Sequence, residues 1–325
     1  MLEGRAKAAA QLGLFGASAA VIELRRYLTK VAASDATVLV TGETGTGKEP
    51  VASAVHQLSD RADGPFVAIN CSAIPETLIE SELFGHERGA FTGAQASFPG
   101  RFAQADHGTL FLDEISEMSP MGQAKLLRVL EERAVTPVGS MRRRPVDVRV
   151  VAASNQRLEQ MVDHHQFRAD LFYRLNVARI DLPPLRSRPE DIGPIVTHFI
   201  DEQNRRRSMR VGRPDPNLLA RMRLYSWPGN VRELRNLVEA LFIDPPQGRA
   251  VRIDDLPSAF RRLFQETRSA GENERARLVE VLRETNWNKM EAARQMNWSR
   301  MTLYRKLAKY SIASPGHAPD DDDQV

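Results

Sequence analysis

The chain has 325 residues, of which 27% are charged and 42% hydrophobic, an ordinary balance for one large globular core with one or two small satellites. One cysteine excludes an intrachain disulfide, seven histidines without ligand spacing give no metal site of their own, and no apolar run reaches the ~18 residues of a membrane span. A formal charge of +3 and a pI near 9.1 make the chain mildly basic, so where the charge sits says more than its total.

Residues 1–13 form a short N-terminal segment without the apolar stretch and cleavage site of a secretory signal, which predicts a cytoplasmic protein with no membrane partner. Short β-rich runs then alternate with helical patterns, starting at Thr37–Val40, Phe66–Ile69, Thr109–Leu112, Val148–Val151 and Ala178–Leu182. That alternation predicts a three-layer α/β domain over 14–184 around a mostly parallel sheet. Cys71, following the second run, reads as a small core residue rather than a catalytic thiol.

The first run leads into Gly42, Glu43, Thr44, Gly45, Thr46, Gly47, Lys48 and Glu49. Strand, glycine-rich turn and helix start are the context of a phosphate-binding loop. The glycines let backbone N–H groups face phosphate oxygens, and Lys48 adds a point charge. Two features depart from the common wording. Glu49 replaces the usual hydroxyl residue, and Pro50 follows it without an N–H to donate, which predicts weakened nucleotide binding.

The third run ends in Asp113 and Glu114, about 65 residues on, where one acid can serve Mg²⁺ through water and the other can polarise an attacking water. Two more runs end in polar groups, Asn70 and Asn155, and strand C-termini converge on the ligand in such sheets. The chemistry expected is nucleoside triphosphate hydrolysis. Between the second and third runs lies Gly89-Ala90-Phe91-Thr92-Gly93-Ala94, a glycine-framed tip whose aromatic is costly unless it meets a partner.

Pro183-Pro184 ends the last strand run, and 185–255 is helical in pattern with no further strand. Residues 256–273 turn polar and read as a linker. The unit 274–313 has two helical stretches broken at Asn297-Trp298-Ser299, and its 286–310 portion carries a net +5. This reads as a helix-turn-helix, with Ser299 as N-cap of the second helix, Arg300, Thr302 and Arg305 toward double-stranded DNA, and Lys289, Arg294, Tyr304 and Lys306 as further DNA-binding candidates. Residues 314–325, with four aspartates, read as a disordered acidic tail.

GAFTGA at 89–94, GETGTGKE at 42–49, GTLFLDEI from Gly108 and WPGNVREL from Trp227 together resemble the bacterial enhancer-binding proteins, AAA+ activators of RNA polymerase carrying sigma-54. The resemblance runs from about Leu14 to Ile312, and Glu49 is that family's own form of the loop. It implies an AAA+ fold, a ring, usually a hexamer, and ATP hydrolysis with Mg²⁺ coupled to movement of the GAFTGA loop against sigma-54. It further implies that Lys48 and the 42–49 backbone bind phosphates, that Asp113 serves the metal and that Glu114 is the catalytic acid. Asn70 would pair with that glutamate, Asn155 would be sensor I, and Arg232 sensor II. Arg168 and Arg174 would be arginine fingers reaching a neighbouring subunit; residue pattern alone would make them an exposed helical face. Phe91 and Thr92 would form the sigma-contacting tip, and the 274–313 unit resembles the Fis-type domain that holds enhancer DNA. The intact GAFTGA disfavours a regulator that has lost sigma-54 activation, and the helix-turn-helix disfavours an unrelated remodelling ATPase. No sensory domain fits before Leu14, so either a separate protein controls the chain or the sequence is a truncated gene product.

Overall fold

Burial is nearly continuous along the central strands, as in a sheet covered on both faces. In chain order the strands are β1 (Val38–Thr41), β2 (Phe66–Asn70), β3 (Thr109–Asp113), β4 (Ala134–Val135), β5 (Arg144–Pro145), β6 (Arg149–Ser154) and β7 (Ala178–Asp181). Leu39, Leu110, Leu112 and Ala152 enter one apolar cluster, while Val38, Val40, Phe111, Val151 and Ala153 enter the other. Successive side chains of an extended backbone point to opposite faces, so both layers are built from the same strands. Full burial of leucines such as these stabilises the fold by about 1.5–3 kcal/mol each.

The computed structural model describes residues 14–91, 93–285, 287–296, 298–310 and 312; the 1–13 segment, Thr92 and the acidic tail lie outside the described residues. Five strands pair in the order β2-β3-β6-β1-β7, all parallel, with β4 and β5 forming a separate antiparallel hairpin. The register sets Asn70 beside Asp113 and Thr41 beside Ser154, so the polar strand ends share one edge of the sheet. The layers are completed by α1 (Ala19–Ala32), α2 (Lys48–Gln57), α3 (Glu76–Phe84), α4 (Arg101–Gln104), α5 (Pro120–Glu132), α6 (Leu158–Asp163) and α7 (Ala169–Leu175). A helical lid follows: α8 (Ile192–Arg207), α9 (Pro216–Leu224) and α10 (Asn230–Leu241), with Trp227 fully buried and its indole N–H donating to the Met222 carbonyl at 2.7 Å. Beyond Pro183-Pro184 the described residues of this unit hold isolated bridges but no strand, in keeping with the helical pattern.

The chain divides into two compact units, Met1–Leu256 and Pro257–Val325. The second is made of α11 (Ser258–Glu284), α12 (Lys289–Gln295) and α13 (Arg300–Lys309). This corrects the expected linker: most of 256–273 belongs to a continuous 27-residue helix. Polarity misled the reading. Between Ser258 and Glu284 there is no proline, and the one glycine, Gly271, costs a helix only about 1 kcal/mol.

Candidate nucleotide cleft, loop and DNA-binding unit

β1 delivers its last residue into the glycine turn, and α2 begins at Lys48 with Gly47 in the left-handed region and no side-chain cap. The uncapped first-turn amides are donors without intrahelical partners. Pro50 occupies the third helical position, and the first intrahelical bond seen, Val51 N–H to the Gly47 carbonyl, begins just after it. The ring therefore removes none of the helix's own bonds; it removes a donor from the loop. Gly45 is required for packing, since a Cβ there would lie 2.3 Å from the Gly229 carbonyl oxygen of the lid.

A cleft of about 230 Å³ lies between the α/β layers and the lid, lined by the loop from Thr44 to Pro50, by Asp113 and Glu114, and by Arg188, Arg232 and Arg235. Lys48 is nearly buried; its Nζ donates to the Gly42 carbonyl at 3.1 Å and sits 3.4 Å from Glu114 Oε1. Glu114 adopts a left-handed backbone (φ 51°, ψ 52°), a conformation costing roughly 1–2 kcal/mol for a residue with a Cβ. That turn lets Glu114 Oε2 accept the Asn155 N–H at 3.1 Å, while Asn155 Nδ2 donates to Thr44 Oγ1 at 3.3 Å. Burial pushes the Asp113 carboxyl above its ordinary range and the Glu114 charge adds to the effect, with Lys48 opposing.

The sequence-predicted residues separate into those the fold gathers and those it does not. Thr44, Gly45, Thr46, Gly47, Lys48, Glu49, Asp113, Glu114 and Arg232 line the cleft, and Asn155 reaches it through Glu114. Gly42 and Glu43 do not line it. The Glu43 carboxylate turns to the lid, where Arg186 donates at 2.7 Å and Asn230 Nδ2 at 3.2 Å; the Arg186 bond, then the Asn230 bond, hold it down at about 2. Asn70 is not turned to Glu114 either. Its Oδ1 caps the turn at Cys71, accepting from Ser72 N–H at 2.9 Å and Ser72 Oγ at 2.7 Å. Arg168 pairs with Asp170 at 2.8 Å, and Arg174 donates to the Leu130 carbonyl; neither lines the cleft of its own chain. Cys71 is buried as expected, and burial, with the nearby acids, pushes its thiol up to about 12.

Several residues that line or hold this cleft were not singled out in the sequence. Asn230, fully buried at φ 51°, donates to the Thr44 carbonyl at 3.0 Å and accepts the Leu185 N–H at 2.8 Å, tying loop to lid. The Pro228-Gly229-Asn230 turn ahead of a helix was the available signal. Asp191 is also fully buried and accepts from Ala17 N–H, Ser18 N–H and Ser18 Oγ at 2.6–2.7 Å, which fixes Leu14 and Phe15 at the cleft wall. Phe15 stacks on His198 with ring centroids 3.6 Å apart.

The Gly89–Ala94 loop closes on itself: Gly89 N–H donates to the Ala94 carbonyl at 2.9 Å and Ala94 N–H to the Phe91 carbonyl at 3.0 Å. Phe91 is 38% exposed, with its ring edge-on to His86 at 5.0 Å. The β4–β5 hairpin lies against the loop's base. A Cβ at Gly139 would meet Ala90 at 2.8 Å, and Arg144 pairs with Glu87 at 2.7 Å. Two of the three arginines at 142–144 are thus paired, since Arg143 holds Glu132 at 2.8 Å.

In the second unit Leu278, Leu282, Ala292, Ala293, Leu303 and Leu307 form the buried centre, with Trp287, Met296 and Trp298 packed against it. Ser299 Oγ accepts the Thr302 N–H at 3.1 Å, the expected N-cap, and binds Thr302 Oγ1 at 2.8 Å. Thr302 is therefore occupied in the cap. Lys289, Arg294, Arg300, Tyr304 and Arg305 are exposed, with Lys289 Nζ and the Arg300 guanidinium 5.2 and 5.8 Å from the Tyr304 ring. Lys306 is half-buried, 5.6 Å over Trp298.

A parallel sheet, a glycine loop feeding a helix, an acid pair at the end of β3 with β6 between it and the loop strand, and an arginine-bearing lid define a P-loop nucleoside triphosphatase of the AAA+ kind. Family models agree segment by segment: Sigma-54 interaction domain over 14–181, AAA+ ATPase lid domain over 186–273, and Bacterial regulatory protein, Fis family, over 270–310. The chain is 46% identical over 309 residues to the transcriptional regulatory protein ZraR of Klebsiella oxytoca, covering 93% of this chain and 70% of that one. It is 48% identical over 285 residues to the DNA-binding transcriptional activator HyfR of Escherichia coli, covering 83% of this chain but 42% of HyfR. Among solved structures, NtrX from Brucella abortus in complex with ATP matches with a TM-score of 0.73 at 32% identity, over 95% of this chain and 72% of that one. The chain belongs to the sigma-54-dependent family of AAA+ transcriptional regulators.

Proposed function

We propose that the protein hydrolyses ATP and uses the reaction to press the Gly89–Ala94 loop against sigma-54, while the 274–313 unit holds enhancer DNA upstream. The observation that carries this reading is the cleft itself, where Lys48, Asp113 and Glu114 of the α/β layers face Arg232 of the lid. ATP as the nucleotide is supported by the ATP-bound NtrX neighbour. Lys48 and the amides of the 44–49 turn, of which Thr46 N–H now bonds the Glu43 carbonyl at 3.3 Å, hold the phosphates. Glu114, oriented by Asn155 and released from Lys48 as phosphate takes its place, polarises the attacking water. Asp113 fits a Mg²⁺ carried in with the nucleotide, because burial beside Glu114 leaves its negative charge poorly compensated. The metal, when bound, supplies charge neutralisation at the phosphates. Arg168 and Arg174, exposed and away from their own cleft, would serve a neighbouring subunit's site in a ring of copies.

One assay tests the whole reading: open-complex formation by sigma-54 RNA polymerase on a template carrying the upstream site, with ATP turnover measured in parallel. Lys48→Ala should lose both signals. Thr92→Ala should keep turnover and lose open complexes. Arg300→Ala should keep turnover and need more protein to reach the same signal. Normal activation by Thr92→Ala would sink the loop assignment, and an active Lys48→Ala would sink the hydrolytic one.

A further inference from the structure

Arg188 is 4% exposed, and its Nε is buried without a hydrogen-bond partner. Its guanidinium makes neither a hydrogen bond nor an ion pair with any described residue. A largely buried cation in that condition is costly, because its Nε has lost water with nothing in its place and only the groups at the cleft keep access to solvent. The nearby acid, Asp191, already accepts three hydrogen bonds, from Ala17 N–H, Ser18 N–H and the Ser18 hydroxyl, and makes none to Arg188. Burial accordingly pulls the Arg188 guanidinium below its ordinary value, and Asp191 opposes this only in part. Yet Arg188 lines the nucleotide cleft, together with the apolar group Leu14, Phe15, Leu182, Ile195 and Phe199.

We infer that Arg188 is a nucleotide-contacting residue that donates to an acceptor on the base or ribose, and that this contact supplies the partner missing in the free protein. Its apolar neighbours suit a flat base rather than a phosphate, and the phosphate end already has Lys48 and the loop amides. Arg188 therefore senses whether the cleft is filled, not which phosphate is present. It links that occupancy to the lid, since its own N–H bonds the Leu185 carbonyl at 3.1 Å and Leu185 N–H bonds Asn230. The inference rests on the cleft being the nucleotide site.

The test is calorimetric titration of Arg188→Met and Arg188→Lys with ADP, ATP and inorganic triphosphate, alongside melting curves with and without ADP. Methionine preserves most of the volume while removing the charge. The expected result is a loss of roughly ten- to a hundredfold in affinity, equal for ADP and ATP and absent for triphosphate, with Arg188→Lys falling less. The nucleotide-free Arg188→Met protein should melt no lower than the unaltered one, since an uncompensated charge has been removed. A residue with only a structural role would show the reverse: a lower melting temperature without nucleotide and unchanged affinity once folded. Either that pattern, or a larger loss for ATP and triphosphate than for ADP, overturns the inference. Should the unaltered protein itself bind no nucleotide, the reading of the cleft fails instead.

Discussion

Replacing Asn230 with alanine should be among the more damaging single changes outside the sheet. The amide closes three contacts at once: it accepts the buried Leu185 N–H at 2.8 Å and donates to Thr44 O at 3.0 Å and Glu43 Oε2 at 3.2 Å. Stranding the Leu185 N–H costs about 1–3 kcal/mol, and each donated bond contributes about 1 kcal/mol. The backbone at φ 51° adds about 1 kcal/mol more, because asparagine tolerates the left-handed region better than alanine. Allowing for non-additivity, about 4 kcal/mol should be lost, which lowers the melting temperature of a unit this size by roughly 8–16 °C. Asn230→Gly separates the terms, since it loses the same hydrogen bonds without the backbone strain and should recover about 1 kcal/mol. Thermal unfolding of both variants, followed by ADP titration, reads the effect on stability and on the loop. An alanine variant melting within about 2 °C of the unaltered protein would show that loop and lid are joined by something other than this side chain.

Pro50→Leu restores an N–H at the third position of α2 and should tighten ADP and ATP binding roughly tenfold, the worth of one charge-assisted bond; equal affinities by calorimetry would mean the missing donor is compensated. Glu43 gives a pH signature. Its folded value, near 2, lies below the ordinary 4.5, so its pairing with Arg186 stabilises the fold fully above about pH 4.5 and is lost as pH falls toward 2. The melting difference between unaltered protein and Glu43→Gln should be constant from pH 7 to 5 and shrink below that; a difference growing with acidity would contradict the pairing. Mixing Arg168→Ala with Lys48→Ala should restore some turnover at mixed interfaces, and co-assembled mixtures with no recovery at any ratio would argue against shared sites.

Sequence by itself determined the five strands of the parallel sheet, though not the short β4–β5 hairpin, and it determined the phosphate loop and the acid pair, because each is written in contiguous residues whose type and spacing follow from local geometry. Runs such as Val38–Val40 and Leu110–Leu112 must be buried on both faces, and a glycine turn between such a run and a helix has few other uses. The capping role of Ser299 was legible for the same reason, since it acts three residues away. Tertiary structure alone decided what meets across long separations. The Glu43 carboxylate finds Arg186 and Asn230, Asn70 Oδ1 accepts from Ser72, and Arg188 is carried to the cleft with no side-chain hydrogen bond among the described residues. The polar stretch after Leu256 became helix because low hydrophobicity disfavours burial without disfavouring helical backbone. Local pattern fixes which backbone a segment adopts. Which charges are satisfied, and by whom, depends on how the lid closes over the loop, and residues 140 to 190 positions apart carry no sign of that meeting in their own neighbourhoods.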